Sequence, residues 1–250
     1  MNENKNFKKI SANLVNWLKD RVAAAGADGA VVGLSGGIDS AVTARLAQKA
    51  FADNVMGIIM PCNSSSEDRE DALLFANKFG LDYIITDLSG VYAHLLDELQ
   101  KSGIKGNKMA EINIKPRLRM TSLYYYAASL NYLVIGTDNR SELKIGYFTK
   151  YGDGGVDLAP LGSLVKHEVK ALARELNIPE KIINKKPSAG LWSNQTDEDE
   201  MGFSYQELDQ YILSGEAEAE TKAKIERLAQ KNQHKVKAVP IPERSDIFDE

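Results

Sequence analysis

A glycine turn between an apolar run and a helical segment is the feature that most constrains this chain. Residues 30–34, AVVGL, are apolar and predict a buried strand. Residues 35–40, SGGIDS, form the turn, and the segment that follows has helical composition with an apolar face at Val42, Leu46 and Ala50. The turn lets backbone N–H groups face one point, where the helix N-terminus adds positive dipole. The pattern therefore predicts an anion site, although it matches neither the Walker A loop nor the dinucleotide fingerprint.

Strand and helix patterns alternate around this turn. Apolar runs at 55–60, 81–88 and 132–136 predict three more strands, and helical patterns precede or separate them at 7–22, 65–78, 91–101 and about 116–130. Strands separated by helices favour an α/β fold, namely an open parallel sheet with helices on both faces. In such a fold the anion site lies at the carboxyl ends of the strands. The chain is interpreted as a single domain over residues 1–250.

The second half of the chain is less regular. No periodicity is visible from 137 to about 161, which predicts a long functional loop. Further helices are predicted at 166–176, 205–213 and 217–233. The polar stretch 184–201 is expected to be mobile, and the tail from 236 is expected to be extended.

Composition excludes several classes of function. The chain has 250 residues and a net charge of −4, which gives no reason to expect nucleic acid as a partner. No apolar run is long enough for a membrane span, and the N-terminus lacks the apolar region of a signal peptide. The single Cys62 cannot form an internal disulfide. These features predict a cytoplasmic protein without a membrane partner.

Two later motifs carry carboxylates to the same sheet edge. Residues 136–142, GTDNRSE, follow the fourth strand, so Glu142 is expected near the glycine turn. Asp39 lies beside the glycines, where it is a candidate magnesium ligand or, alternatively, a helix cap. Taken alone, Glu142 would fit a solvated carboxylate at a helix start better than a metal ligand. Residues 146–157, GYFTKYGDGGVD, combine two carboxylates, a lysine and four glycines, which suits a polar pocket better than a core.

These motifs together resemble a known family. The SGGxDS loop is similar to that of the ATP pyrophosphatases, which cleave ATP between the α and β phosphates and have the Rossmann-like adenine nucleotide alpha hydrolase fold. With GTDxxE and FTKYGDGGxDLxPL added, the chain resembles the ammonia-dependent NAD synthetases from its opening helix to His234-Lys235. The resemblance implies that ATP and ammonia convert deamido-NAD to NAD, AMP and pyrophosphate through an adenylated nicotinate. It also implies Mg²⁺ and a homodimer.

The resemblance assigns roles residue by residue. ATP contacts are expected from Gly33, Leu34, Ser35, Gly36, Gly37, Ile38, Asp39, Ser40, Thr137, Lys166 and Ser188, the last standing where relatives often have Thr. Magnesium ligands are expected at Asp39 and Glu142. Deamido-NAD contacts are expected from Arg117, Lys150, Asp157, His234 and Lys235, and Asp153 is expected to receive ammonia.

One departure and two alternatives remain at this level. Many relatives carry an ATP-binding arginine two residues before Pro61, where this chain has Ile59, so its adenosine contacts are not predicted. A sister synthetase making GMP, argininosuccinate or a thiolated tRNA base is one alternative, although a single cysteine and a net charge of −4 disfavour the tRNA enzymes. A module that binds ATP without chemistry is the other. A glutaminase domain would need more chain than precedes Ser35, so free ammonia is the expected nitrogen donor, with a separate glutaminase partner left open.

Overall fold

Four parallel strands form the sheet that the alternating pattern predicts. A computed structural model of the protein describes residues 5–188 and 196–248. The strands are β1 (Gly29–Gly33), β2 (Val55–Ile59), β3 (Tyr83–Ile85) and β4 (Tyr132–Ile135). Their order in the sheet is β3-β2-β1-β4, and every neighbouring pair is parallel. The glycine turn therefore follows a central strand, and the prediction of an open parallel α/β sheet is confirmed.

Twelve α-helices surround the sheet in the described residues. The first six are α1 (Phe7–Ala24), α2 (Ile38–Phe51), α3 (Ser66–Phe79), α4 (Ser89–Gln100), α5 (Lys108–Ile112) and α6 (Ile114–Leu130). The others are α7 (Arg140–Ile145), α8 (Lys166–Glu175), α9 (Glu180–Ile183), α10 (Asp197–Met201), α11 (Tyr205–Ser214) and α12 (Ala219–Val236). A single 3₁₀ turn covers Arg244–Asp246 near the end of the described chain.

Alternate side chains of β1 bury opposite faces of the sheet. Ala30 and Val32 pack with α1, α2 and α8, whereas Val31 belongs to the cluster formed with α6 and the start of α4. Because β-strand side chains alternate, a central strand covered on both faces is apolar throughout, as this one is. A third cluster joins α7, α11 and α12 beyond the sheet, around Ile145, Leu208 and Ile225.

The structure corrects two sequence expectations. The region 137–161 is not one loop, because α7 lies inside it. Asn139 begins that helix with a reciprocal cap, in which its side chain accepts from the amide of Glu142 and the Glu142 carboxylate accepts from the amide of Asn139. Part of the stretch 184–201, expected to be mobile, is the helix α10, and residues 189–195 lie outside the described residues. No helix in the described ranges is long and apolar enough to cross a membrane.

Candidate active site

The glycine turn has a conformation that only glycine fits well. Gly36 has a φ of +79°, and a Cβ there would lie 2.2 Å from the carbonyl oxygen of Asp68 on α3. Ser40 closes the turn, since its hydroxyl donates to the carbonyl of Gly37 at 2.9 Å and lies 3.1 Å from the hydroxyl of Ser35. Gly37 is the N-cap of α2 and contributes no side-chain cap. No side chain caps the first turn of α2 from its N-cap position, which is compatible with the predicted anion site.

Lys166 joins the two predicted metal ligands beside this turn. Its Nζ lies 2.7 Å from Asp39 Oδ2 and 3.1 Å from Glu142 Oε1, and only 4% of its side chain is exposed. The side-chain Nδ2 of Asn139 donates to the other oxygen of Asp39, Oδ1, at 2.9 Å. The structure thus brings together three predicted residues from α2, α7 and α8.

Crowded negative charge shifts the titration of this cluster. Desolvation raises the pKa of Glu142, Lys166 lowers it and Asp39 raises it again, with a result of about 7. Burial lowers the pKa of Lys166, but the two carboxylates outweigh burial and hold it above its usual value. A fourth group, Asp138, is buried, and desolvation followed by the charges of Asp153 and Glu142 raises its pKa well above the ordinary range. The cluster has more carboxyl groups than cationic groups, and an added cation would favour the ionised form of these carboxyl groups.

Asp153 lies in a tight turn at the border of this cluster. Its Oδ1 accepts from the amide of Thr149 at 2.9 Å, and the residue is exposed. Desolvation by the surrounding protein raises the pKa of its carboxyl, while the hydrogen bonds from Thr149 act in the opposite direction. A cavity of about 690 Å³ adjoins the turn and is lined in part by Asp138, Gly154 and Lys235. An accessible carboxylate beside a cavity and an acidic cluster suits the binding of a small cation.

The two remaining predicted ATP residues are placed less directly. Thr137 follows β4 and is half-buried at the carboxyl edge of the sheet, on the same edge as the glycine turn. Ser188 is exposed and lies three residues after Lys185, whose ammonium bonds Asp68 at 2.9 Å and the fully buried Asp71 at 2.7 Å. Because Asp68 also meets Gly36, these ion pairs hold the chain that leads to Ser188 near the glycine turn.

The residues expected to bind the dinucleotide do not form one cluster. Arg117, Lys150 and His234 lie together, whereas Asp157 and Lys235 each have separate partners. Arg117 donates to the carbonyl of Lys150 at 3.3 Å, and Lys150 Nζ donates to the carbonyl of His234 at 2.7 Å, so these three adjoin one another. Asp157 is apart from them and accepts from Tyr124 at 2.9 Å and from the amide of Val134 at 2.8 Å.

Lys235 has a structural task of its own. Its Nζ donates to the carbonyls of Gly146 and Phe148, each at 2.8 Å, and desolvation lowers its pKa. The end of α12 is thereby fixed to the loop that carries Asp153. The ammonium of Lys235 therefore already has two protein partners, in addition to the substrate contact expected from the sequence.

Sequence reasoning missed three residues of the site. Tyr205 on α11 donates to Glu142 at 3.2 Å, and its ring centre lies 4.8 Å from Lys166 Nζ. Arg119 bonds the carbonyl of Met60 at 3.2 Å and Ser64 at 3.0 Å, which holds the turn after β2. Tyr124 on α6 donates its hydroxyl to Asp157 at 2.9 Å. Tyr205 lies in no recognisable motif, so no local signal indicates it. Arg119 lies two residues after Arg117, and its position in the same basic segment was a signal in the sequence.

Ile59 accounts for the missing arginine. It is 2% exposed and packs in the core beside α2 and α3. An isoleucine side chain has no hydrogen-bond donor, so it cannot replace the polar contact expected from the arginine of those relatives.

The fold and the site define the class of α/β proteins in which a glycine turn opens a helix at the carboxyl edge of a parallel sheet, beside an acidic cluster. The family model described as NAD synthase matches residues 10–239. The NH(3)-dependent NAD(+) synthetase of Carboxydothermus hydrogenoformans is 54% identical over 95% of this chain and 98% of its own.

Solved structures agree. The NMN synthetase of Francisella tularensis has a TM-score of 0.91 at 39% identity, with 96% of this chain and 99% of that one covered. The NH3-dependent NAD synthetase of Campylobacter jejuni, in complex with a nitrate ion, has a TM-score of 0.78 at 34% identity, with coverages of 96% and 100%. The chain belongs to the NAD synthase family. It is a ligase, and its function is the final amidation step of NAD biosynthesis.

Proposed function

We propose that this chain amidates deamido-NAD with free ammonia, using ATP, at the carboxyl edge of the sheet, where the glycine turn and the turn at Asp153 flank the acidic cluster. The observation that carries the proposal is Lys166 Nζ within 3.1 Å of both Asp39 and Glu142, beside a helix N-terminus that can accept phosphates. A positive side chain fixed by two carboxylates at an anion site suits stabilisation of charge on a phosphate.

The first step activates a poor electrophile. A carboxylate oxygen of the nicotinate attacks the α-phosphorus of ATP, the bond from that phosphorus to the bridging oxygen breaks, and pyrophosphate leaves with the electron pair. Amide groups of the glycine turn bind the phosphates, with Thr137 as a hydroxyl donor. Ser35 and Ser40 contribute by shaping the turn, because the Ser35 hydroxyl donates to Ser40 and the Ser40 hydroxyl donates to the carbonyl of Gly37. Lys166 stabilises the charge that develops on the transferred group. Ser188 completes the nucleotide contacts in this proposal.

Magnesium fits the carboxylates of this site. Mg²⁺ is commonly held by one or two carboxylates together with substrate phosphates, and Asp39 and Glu142 supply two. Within residues 5–188 and 196–248 no three His, Cys, Asp or Glu side chains converge to hold a metal by themselves, which is consistent with a site completed by ATP. When bound, the ion would neutralise phosphate charge. The excess of carboxylates over Lys166 supports this assignment.

The second step needs neutral ammonia. Ammonium predominates at neutral pH and lacks a lone pair, so a carboxylate that binds it and accepts a proton is required. Asp153 is exposed and directly precedes Gly154, which lines the cavity. The nitrogen attacks the carbonyl carbon of the adenylate and loses one proton to water, the bond from that carbon to the phosphate oxygen breaks, and AMP leaves with the electron pair.

The nicotinate substrate is assigned to the surface around Arg117, Lys150 and His234, with Lys235 and Asp157 at its borders. The guanidinium of Arg117 lies at the backbone of Lys150 and the ammonium of Lys150 lies at the backbone of His234, and this run of basic residues suits a phosphate-bearing substrate. The neighbouring structure described as an NMN synthetase makes nicotinate mononucleotide the second candidate substrate. The dinucleotide is preferred because the curated relatives at 42–54% identity are named NAD synthetases.

The proposal extends to assembly and location. A single synthetase domain that takes free ammonia agrees with NH3-dependent relatives matched over 98% of their length. Exposed apolar side chains on α4 to α6 support a homodimer, and a single cysteine supports a cytoplasmic location.

The deciding experiment follows NAD or NMN together with pyrophosphate. Purified protein receives MgATP, either ammonium chloride or glutamine, and either deamido-NAD or nicotinate mononucleotide. We expect NAD and pyrophosphate in equal amounts from deamido-NAD with ammonium, and no product from glutamine. Preferred use of the mononucleotide would replace the dinucleotide assignment. ATP binding without pyrophosphate release would instead indicate a nucleotide sensor.

A matched pair of variants locates the activity. Lys166→Met removes the charge between Asp39 and Glu142, and we expect it to reduce turnover by about 10²–10³-fold, as the loss of one preorganised electrostatic contact does. Lys170→Met removes a lysine one turn further along α8 and is expected to leave turnover unchanged. Equal effects of the two changes would contradict the site.

A further inference from the structure

The helix that carries Lys166 lacks a cap of its own. Val165 is the N-cap residue of α8 and has no side-chain oxygen to accept from the first amides. Those amides nevertheless have a partner, because Asp209 of α11 accepts from the amide of Lys166 at 3.3 Å and from that of His167 at 2.8 Å. A carboxylate at a helix N-terminus also complements the helix dipole.

The same carboxylate holds a second helix. Asp209 Oδ1 accepts from the hydroxyl of Ser141 at 2.5 Å, and that hydroxyl accepts in turn from the amide of Lys166 at 3.1 Å. Ser141 immediately precedes Glu142 in α7. Asp209 therefore links the backbone of Lys166 to Ser141, the residue before Glu142. The side chains of Lys166 and Glu142 in turn meet in the acidic cluster.

Asp209 is 2% exposed, and each of its oxygens is used. Oδ2 accepts from the amide of His167 and from Nδ1 of its ring at 2.9 Å, where the ring must donate because a carboxylate only accepts. The carboxylate makes no contact with Asp39 or with the glycine turn among its hydrogen bonds. Its burial and full set of donors indicate that it acts through the residues it holds.

The face of α11 that bears Asp209 contacts both ends of Lys166. Tyr205 precedes Asp209 by four residues, so the two share a face of the helix. Tyr205 places its ring 4.8 Å from the ammonium of Lys166 and donates to Glu142, while Asp209 binds the backbone of Lys166. One helix thus fixes the start and the tip of the same side chain.

We propose that Asp209 is a positioning residue for the ATP step, which caps α8 in place of Val165 and, through Ser141, sets Glu142 relative to Lys166. This inference rests on the proposed roles of Lys166 and Glu142. Asp209→Asn keeps the size and shape of the side chain but replaces one acceptor oxygen with an NH2 group. The donors that met that oxygen then face another donor.

The first test separates rate from substrate binding. We expect Asp209→Asn to lower kcat for NAD formation about 10- to 100-fold, the range typical of residues that orient the side chains of a metal or catalytic site. The KM for deamido-NAD should stay within about threefold of the wild-type value. Glu207→Gln is the matched control, since it makes the same acid-to-amide change two residues earlier on α11, where Glu207 bonds only Ser204 and Thr221. We expect this control to retain kcat within about twofold.

A double-mutant cycle distinguishes positioning from general loss of structure. If Asp209 acts through Lys166, then Asp209→Asn in the Lys166→Met background reduces kcat by less than about threefold, because the group to be positioned is gone. If Asp209 only supports the fold, its full effect persists in that background. Additive effects, or a kcat near that of the wild type for Asp209→Asn alone, would overturn the proposal.

Two further measurements keep the test decisive. Should Asp209→Asn fail to fold, Ser141→Ala removes only the link to α7 and is expected to lower kcat with the same non-additivity. Amide hydrogen exchange at Lys166 and His167 should quicken in Asp209→Asn and not in Glu207→Gln, whatever the substrate is. Unchanged exchange would overturn the capping role, whereas a wild type that makes no NAD would overturn the proposed function and leave the exchange result valid.

Discussion

Asp153 is exposed, and its carboxylate is oriented by a hydrogen bond from the backbone amide of Thr149 in the same turn. Because ammonia enters only after the adenylate has formed, Asp153→Asn is expected to lower NAD formation at limiting ammonium by about 10²–10⁴-fold, the usual contribution of a general base. Isotope exchange between pyrophosphate and ATP, which needs no ammonia, should remain near the wild-type rate. Full turnover of the variant at limiting ammonium would remove Asp153 from the mechanism.

Glu142 makes stability depend on pH in an unusual direction. Its pKa is raised from 4.5 to about 7, so the folded protein binds more protons than the unfolded chain between these values. The free energy of unfolding therefore falls as pH rises through this window. Glu142→Gln cannot titrate, so wild type should lose stability relative to the variant between about pH 5 and about pH 8 in urea unfolding without metal. Parallel pH profiles of the two proteins would contradict the shift.

Residues that contact each other across the chain limited what the sequence could predict. Asp39, Glu142 and Lys166 lie in recognisable motifs, and the structure brings all three together. Asp209 lies 43 residues after Lys166 in an ordinary amphipathic helix, and its importance comes only from the donors it meets in the folded protein. Local patterns carry no information on such contacts.

At the scale of elements, the glycine turn depends on the helix beside it. Gly36→Ala requires both a φ of +79° and a Cβ 2.2 Å from the backbone of Asp68, so α3 must move or the turn must change. We expect ATP affinity to fall at least about tenfold, in addition to about 1–3 kcal/mol of backbone strain. Calorimetric titration with ATP measures the first effect and urea unfolding the second.

Gly80→Ala is the control for this change. Gly80 also has a positive φ, +60°, but no atom lies within 4 Å of a Cβ placed there. Strain alone should therefore reduce its stability and leave ATP affinity intact. Similar ATP affinities for the two variants would show that contact with α3 does not shape the turn.

The elements themselves were predicted best where they are long. The four strands and the helices α1, α2 and α6 follow clear periodicity, and their positions are confirmed within a few residues. The helices α5, α7, α9 and α10 have four to six residues each, which is too short for an apolar face to repeat. Their caps, such as Asn139 on α7, are local signals that the sequence did contain.

At the scale of the whole molecule, the largest question is how the outer surface of α4 to α6 is covered. Tyr125 is 69% exposed on α6, and further exposed apolar side chains nearby are Val91, Leu99, Ile104 and Met109. We expect Tyr125→Glu to convert a dimer into monomers in sedimentation velocity, because an interface core does not tolerate an unpaired charge. Leu213→Glu, on the distant helix α11, should leave the assembly unchanged. A wild-type monomer would refute the dimer.

The contact between Gly36 and Asp68 also bears on protein engineering. Six residues, SGGIDS, are easily copied into another α/β scaffold, but the carbonyl that faces Gly36 belongs to a helix almost thirty residues further along the chain. A graft of the loop alone would transfer the sequence of the motif without the backbone of α3 that packs against Gly36. The smallest transplantable unit is therefore β1, α2, β2 and the start of α3 together.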